Sequence, residues 1–123
     1  MTSTSFRTAC VAASLAFAGV SALTAAHAAS FDGDWTVAIT TLRGACDAST
    51  TLAIQIRDGA VSGRGVFSIS GRVAPTGAVT VIVAADSSNA SGSGRLSGNS
   101  GGGSWHGTGS RGACSGNWSA SRG

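Results

Sequence analysis

Apolar and polar residues alternate along the chain from Phe31 onward. In four stretches every second residue is apolar or a glycine: 35–39, 52–56, 67–73 and 79–83. A period of two is that of a β-strand with one buried face, whereas a helix repeats its apolar residues about every 3.6 positions. Since no stretch after Phe31 shows the helical period, the pattern predicts short strands and no helix.

Residues that favour tight turns separate these stretches. Asp58-Gly59 has the composition of a two-residue hairpin turn, because glycine readily adopts the positive φ that such turns need. Pro75-Thr76-Gly77 and residues 86–89 have the composition of further turns. Short strands joined by turns at this spacing are typical of antiparallel sheets.

The last third of the chain is harder to interpret. Residues 87–123 contain eleven glycines and eleven serines, which is the composition of a flexible linker. A disordered tail, however, has no use for Trp105, Trp118 and Cys114. We therefore predict three more strands, near residues 90–97, 103–108 and 114–121, with glycine and serine facing inward opposite the tryptophan rings.

A short repeat indicates how the sheet ends meet. The tetrapeptide Arg-Gly-Ala-Cys occurs at residues 43–46, after the first strand, and at 111–114, before the last. If these two strands pair antiparallel, Cys46 lies beside Cys114 at the seam; chance recurrence of the tetrapeptide is the alternative. We predict an all-β fold, a small antiparallel meander barrel or sandwich of seven or eight short strands with one disulfide.

Residues 1–28 resemble a secretory signal peptide. Arg7 precedes an apolar stretch without charge, which ends in Ala26-His27-Ala28, whose small residues suit a signal peptidase. A transmembrane anchor is the alternative, but the stretch is short of about 20 strongly apolar residues. We predict cleavage after residue 28 or 29, one domain over 29–123 in the periplasm or outside the cell, and no integral membrane segment after cleavage.

Composition excludes several classes of protein. The chain has 123 residues and a net charge of +3, and without the predicted leader its seven Arg and five Asp leave +2, which is too mild to predict a nucleic-acid partner. It contains no Lys, Glu or Tyr, residue types on which acid–base catalysis often depends. His106 is the one histidine left after cleavage, and no G-x-S-x-G motif accompanies the serines. We therefore do not expect an enzyme.

Cys46 and Cys114 remain in the exported part of the chain. An even number of cysteines in a small exported domain favours a disulfide. Two cysteines and His106, widely spaced, do not form a zinc-binding set. We expect the Cys46–Cys114 disulfide and neither a metal nor a cofactor. On its predicted strand His106 has the parity opposite to that of Trp105, so it faces solvent if Trp105 faces inward.

Four blocks of residues carry a resemblance to other proteins. They are residues 31–35 (Phe-Asp-Gly-Asp-Trp), 93–98 (Ser-Gly-Arg-Leu-Ser-Gly), 103–105 (Gly-Ser-Trp) and 114–118 (Cys-Ser-Gly-Asn-Trp). The chain resembles a group of short, uncharacterised exported bacterial proteins with these blocks. Members often carry a loose label of haem utilisation or adhesion, but the group has no established activity that the resemblance would imply for this chain.

A more distant resemblance lies in Gly33-Asp34-Trp35. It is similar to the G-x-W that opens lipocalin- and avidin-like barrels, which implies a barrel with a tryptophan plugging one end. Because the domain is shorter than those of either family, we do not expect a roomy ligand cup.

Three tryptophans are the candidate binding residues. Trp35, Trp105 and Trp118 would line one end of the barrel and hold an apolar or amphiphilic small molecule there; in so small a domain they could instead be core. We predict a non-catalytic exported binding or interaction protein. The alternatives are a cell-surface adhesion or envelope-associated module that uses exposed strands and arginines, or an inhibitor of a secreted hydrolase.

Overall fold

A computed structural model describes residues 30–65 and 67–123. Over these residues the chain forms one closed barrel of eight antiparallel strands in sequence order. The strands are β1 (Gly33–Arg43), β2 (Ser49–Arg57), β3 (Ala60–Gly63), β4 (Ser68–Val73), β5 (Ala78–Ala85), β6 (Ser88–Ser97), β7 (Ser100–Gly109) and β8 (Gly112–Arg122). The described part contains no helix long and apolar enough to cross a membrane. The predicted leader lies outside the described residues.

The first and last strands close the barrel, which is the pairing on which the predicted disulfide seam depends. Strands β1 and β8 pair antiparallel from Trp35 opposite Arg122 to Arg43 opposite Ser115, with an irregularity between Thr41 and Arg43. Of the two predicted architectures, the structure therefore shows the barrel and not the sandwich. Closure leaves no unpaired sheet edge at this seam on which another chain could add a strand.

A disulfide crosses the same seam. Cys46 lies in the loop between β1 and β2, and it is bonded to Cys114 of β8 with their Cα atoms 6.2 Å apart. The predicted pairing is confirmed. Because the bond joins the loop to the last strand, it holds the β1–β2 connection against the barrel wall.

Alternation along the strands separates a buried face from an exposed one. The inward positions of β1 to β5 carry mainly branched apolar side chains, which form the core together with Phe31 and Leu96. Asp58-Gly59 joins β2 to β3 with positive φ at both residues, 52° and 80°, as a tight hairpin turn requires. The predicted period of two is thus the inside–outside alternation of the barrel.

The inward face of β6, β7 and β8 is built from glycines and tryptophans. Gly94 and Gly103 pair with each other, and Gly103 pairs with Trp118 on its other side. An added Cβ at Gly94 would lie 2.8 Å from the Trp118 ring. Inward glycines therefore leave room for the ring, as predicted. The predicted inward serines are wrong: by strand register serines such as Ser93 and Ser104 lie on the outward face, where solvent satisfies their hydroxyls.

Two glycines of β6 offer a matched test of this packing. A methyl group at Gly94 would overlap the backbone of β7 and the Trp118 ring, whereas one at Gly92 would meet nothing closer than 3.5 Å. We expect Gly94→Ala to lower the free energy of unfolding by about 1–3 kcal/mol through overpacking. Gly92→Ala should leave it unchanged or raise it by up to about 1 kcal/mol, since alanine restricts the unfolded chain. Urea unfolding of both variants measures the difference, and equal effects would contradict the packing described.

Candidate functional site

The barrel encloses an apolar cavity with one closed and one open end. Its volume is about 310 Å³, which lies at the lower limit of ligand pockets at about 300–1,000 Å³. The cavity is thus small, in line with the expectation that this short domain holds no roomy cup. Most of its walls consist of inward apolar side chains, chiefly Val37, Ile39, Leu52, Ile54, Val81 and Val83.

The closed end is packed around Trp35. The Trp35 side chain is 1% exposed, and its Nε1 donates a hydrogen bond of 2.8 Å to the carbonyl oxygen of Phe31. Ile56, Val61 and Leu96 are buried around it in the same cluster. This tryptophan plugs one end of the barrel and forms the floor of the cavity.

Arg122 covers Trp35, a role that the sequence analysis does not predict. Its guanidinium carbon lies 5.2 Å from the centre of the Trp35 ring. Its nitrogens donate to the carbonyl oxygens of Ser30, Asp32 and Gly98 and to Oδ1 of Asn99, at 2.9–3.2 Å.

The alternation of residues along β8 indicates that Arg122 lies on the inward side of the strand. Trp118, Ala120 and Arg122 share one parity, so an inward Trp118 places Arg122 on the inward side at the strand end. Bound to Ser30 and Asp32 just before β1 and to the β6–β7 turn, the guanidinium holds the floor of the cavity in place.

Trp118 and Trp105 lie higher in the barrel than Trp35. Trp118 is opposite Ile39 of β1, and its Nε1 donates to the carbonyl oxygen of Ser93 at 3.2 Å. Trp105 reaches across β8, and its Nε1 donates to the carbonyl oxygen of Thr40 at 3.1 Å. The three tryptophans line one cavity, but at different heights and not at one end.

The open end of the cavity is polar. Thr41, Asp47, Thr50 and Ser88 line it there, beside the disulfide-bonded Cys46. The Thr41 hydroxyl donates to the carbonyl oxygen of Asp47 at 2.6 Å, which holds the β1–β2 loop against the rim. Nothing in the sequence singles out Asp47, because a lone aspartate in a loop carries no motif.

The remaining candidate groups lie outside the cavity. His106 is exposed on the outward face, as its parity predicts, and its Nε2 is 3.3 Å from the Ser91 hydroxyl. Arg64 approaches Asp34 at 3.9 Å, with both side chains about two-thirds exposed, and such exposed pairs contribute little to stability. Across residues 30–65 and 67–123, no three His, Cys, Asp or Glu side chains are grouped so as to hold a metal ion.

Comparisons of the chain with family models, with curated proteins and with solved structures find no match. The resemblance to short exported bacterial proteins therefore stays a prediction. Any functional conclusion for this chain rests on the geometry of the barrel interior.

Proposed function

We propose that this protein is a non-catalytic binding protein, exported to the periplasm or cell exterior, that holds an apolar or amphiphilic small molecule inside its barrel. The cavity of about 310 Å³ carries the proposal, because it is closed at one end, open at the other and lined almost entirely by apolar side chains. A ligand entering it would exchange water for apolar contacts on nearly all sides.

The burial of the wall residues supports such a ligand. Ile39, Leu52 and Val83 face the interior but are only half-buried. A ligand that covers them gains about 25 cal/mol for each Å² of apolar surface removed from water. Trp105 and Trp118 would contribute large rigid contact areas in the same cavity.

Unfilled space along the cavity wall also supports a binding role. Unfilled apolar space lowers stability, and at Gly92 the wall has room for at least one more carbon atom. A barrel with a structural role alone would gain stability from larger side chains at such positions. Proteins commonly sacrifice stability in this way where a site requires it.

The positions of the polar groups favour binding over catalysis. His106 and Ser91 contact each other on the exposed outer face and not in the cavity. Trp35, Ile56 and Leu96 line the floor of the cavity, and none of these side chains can act as an acid, a base or a nucleophile. Export rests on the leader-like residues 1–28 and on the disulfide, which is typical of oxidising compartments.

A matched pair of variants tests the proposed site. Val83→Trp places a large ring in the cavity, whereas Ile82→Trp places it on the outer surface, where Ile82 is 59% exposed. With decan-1-ol as the probe, we expect Val83→Trp to weaken binding about ten-fold or more, equivalent to about 1.4 kcal/mol. Isothermal titration calorimetry should show Ile82→Trp binding as the unsubstituted protein does.

Two results would contradict this proposal. One is an absence of heat at two well-separated temperatures when decan-1-ol is added to the unsubstituted protein below its solubility limit, because the negative ΔCp of apolar burial prevents the enthalpy from being zero at both. The other is equal weakening by Val83→Trp and Ile82→Trp, which would place binding outside the barrel. Circular dichroism of both variants confirms that they remain folded before titration.

A surface-adhesion role is the second candidate, favoured by a shallow groove on the outer face. Hydroxyl groups of Ser70, Thr80 and Ser93 line it, together with Arg72 and His106. Retention on an immobilised acidic polysaccharide should then fall steeply with salt, because solvent-exposed charges are screened. Arg72→Ser should reduce that retention, and salt-independent passage through the column would remove this candidate.

A further inference from the structure

We infer that the cavity selects ligands by their head group: it takes an uncharged or cationic amphiphile, tail first, and discriminates against carboxylates. This inference rests on the proposed function and adds the chemical class of the ligand. Its basis is the distribution of polar groups between the floor and the mouth of the cavity.

The interior is polar at one end only. Thr41, Thr50, Ser88 and Asp47 are the polar residues that line the mouth. Ser91 also borders the cavity, but its hydroxyl contacts His106 on the outer face. Deeper in the barrel the lining is hydrocarbon and indole. A ligand with one polar end therefore buries its tail and leaves the head group at the mouth, since a buried polar group without a partner is costly.

The dimensions of the cavity limit the length of the tail. At roughly 30 Å³ for each water molecule, a volume of about 310 Å³ holds about ten groups of that size. From Trp35 at the floor to Thr41 at the mouth, β1 advances six residues, or about 20 Å along the strand at roughly 3.3 Å per residue. Since barrel strands tilt by about 35–45°, the depth along the barrel axis is roughly 15 Å. A chain of about ten carbon atoms fits this depth and volume.

Charge at the mouth decides which head group is tolerated. Asp47 is the one charged residue among the described residues that line the cavity. The inward-facing Arg122 lies beyond the Trp35 floor, and backbone and Asn99 oxygens accept its hydrogen bonds.

Two arginines at the mouth end of the barrel, Arg43 and Arg111, are not among the residues that line the cavity. Among the described lining residues a carboxylate head group would thus meet a like charge and no cation. An alcohol or an ammonium group would find hydroxyl and carboxylate acceptors there.

Three probes of one tail length test the head-group preference: decan-1-ol, decylamine and decanoic acid. At pH 7.5 the amine is cationic and the acid is anionic. We expect calorimetry to give dissociation constants for decan-1-ol and decylamine about two- to five-fold below that of decanoate, because Asp47, the charged residue at the mouth, repels a carboxylate head group.

Asp47→Asn and Asp86→Asn form a matched pair for the source of this preference. Both aspartates lie in connections between strands, and Asp86 is in the β5–β6 turn but does not line the cavity. Asp47→Asn should weaken decylamine and strengthen decanoate by about two- to five-fold, the range for exposed charge pairs. Decan-1-ol should bind unchanged, and Asp86→Asn should leave all three constants unchanged.

The outcomes separate the two proposals. If decanoate binds as tightly as decan-1-ol, or if Asp86→Asn acts as strongly as Asp47→Asn, the head-group inference fails while binding inside the barrel stands. If none of the three probes binds, both proposals fail. The order expected here, with the effect confined to Asp47, supports both.

Discussion

Cys46→Ser is expected to lower the free energy of unfolding by about 4 kcal/mol, since the disulfide closes a long loop. The bonded residues are 68 positions apart in the chain, so the cross-link removes many conformations from the unfolded state. For a domain of 60–100 residues each kcal/mol corresponds to about 4–8 °C in Tm. Thermal unfolding followed by circular dichroism should therefore show a decrease in Tm of roughly 15–30 °C.

The partner cysteine supplies the control for this prediction. Cys114→Ser and the double variant should match Cys46→Ser, because each removes the same bond. Dithiothreitol should lower the Tm of the unsubstituted protein to that of the variants and leave the variants unchanged. A Tm that does not respond to Cys46→Ser would show that closure of the barrel by β1 and β8 suffices without the bond.

Trp35→Ala is expected to lower the free energy of unfolding by about 3–5 kcal/mol, the usual cost of truncating a large buried aromatic residue. The Trp35 ring is 1% exposed, donates to Phe31 and lies under Arg122. Truncation therefore opens the floor of the cavity and removes the surface on which the guanidinium rests. Guanidinium chloride unfolding gives the change directly.

Trp105→Ala is the matched control, because Trp105 also lines the cavity but lies near its mouth and is only half-buried. We expect Trp105→Ala to lower the free energy of unfolding by about half as much or less, because a partly exposed side chain has less buried apolar surface to lose on truncation. Trp35→Phe should lower the free energy of unfolding by an amount between those of Trp35→Ala and Trp105→Ala, because it keeps a ring but loses the indole N–H. If Trp105→Ala were as damaging as Trp35→Ala, Trp35 would not be the anchor of the closed end.

Much of the fold could be predicted because alternation is a local property. Trp35, Val37 and Ile39 face inward as their spacing indicates, and the repeated Arg-Gly-Ala-Cys places Cys46 beside Cys114. The choice between barrel and sandwich could not be made from spacing alone, since both share the same alternation. It depends on whether β1 and β8 pair, which only the register of the complete sheet determines.

The errors at the glycine-rich strands have an equally local cause. Glycine and serine are both small, but they lie on different faces of these strands. In β7, Gly101, Gly103 and Gly107 lie on the inward face with Trp105, whereas Ser100 and Ser104 lie on the outward face. Taking every second residue of β8 from Trp118 likewise places Arg122 on the inward side. The amino-acid composition of these strands does not separate the inward residues from the outward ones, whereas their order along each strand does.

The site was only partly predictable from the sequence. Strand parity places Trp35, Trp105 and Trp118 inside one barrel, but their heights depend on the stagger between strands, which a single strand does not encode. Asp47 reaches the mouth because the loop carrying it is held by Thr41 and by the disulfide. The position of Asp47 therefore depends on both the Thr41 hydrogen bond and the disulfide, and the sequence of the loop alone does not indicate it.

The central claim is that an apolar ligand occupies the barrel interior, and nuclear Overhauser effects between ligand and protein test it most directly. With decan-1-ol bound, we predict contacts from its terminal methyl group to the deep residues Ile56 and Val79 and from its hydroxyl-bearing carbon to Thr50 near the mouth. Contacts confined to the exposed apolar residues Leu42 and Ile82, with none to the deep residues, would contradict the claim.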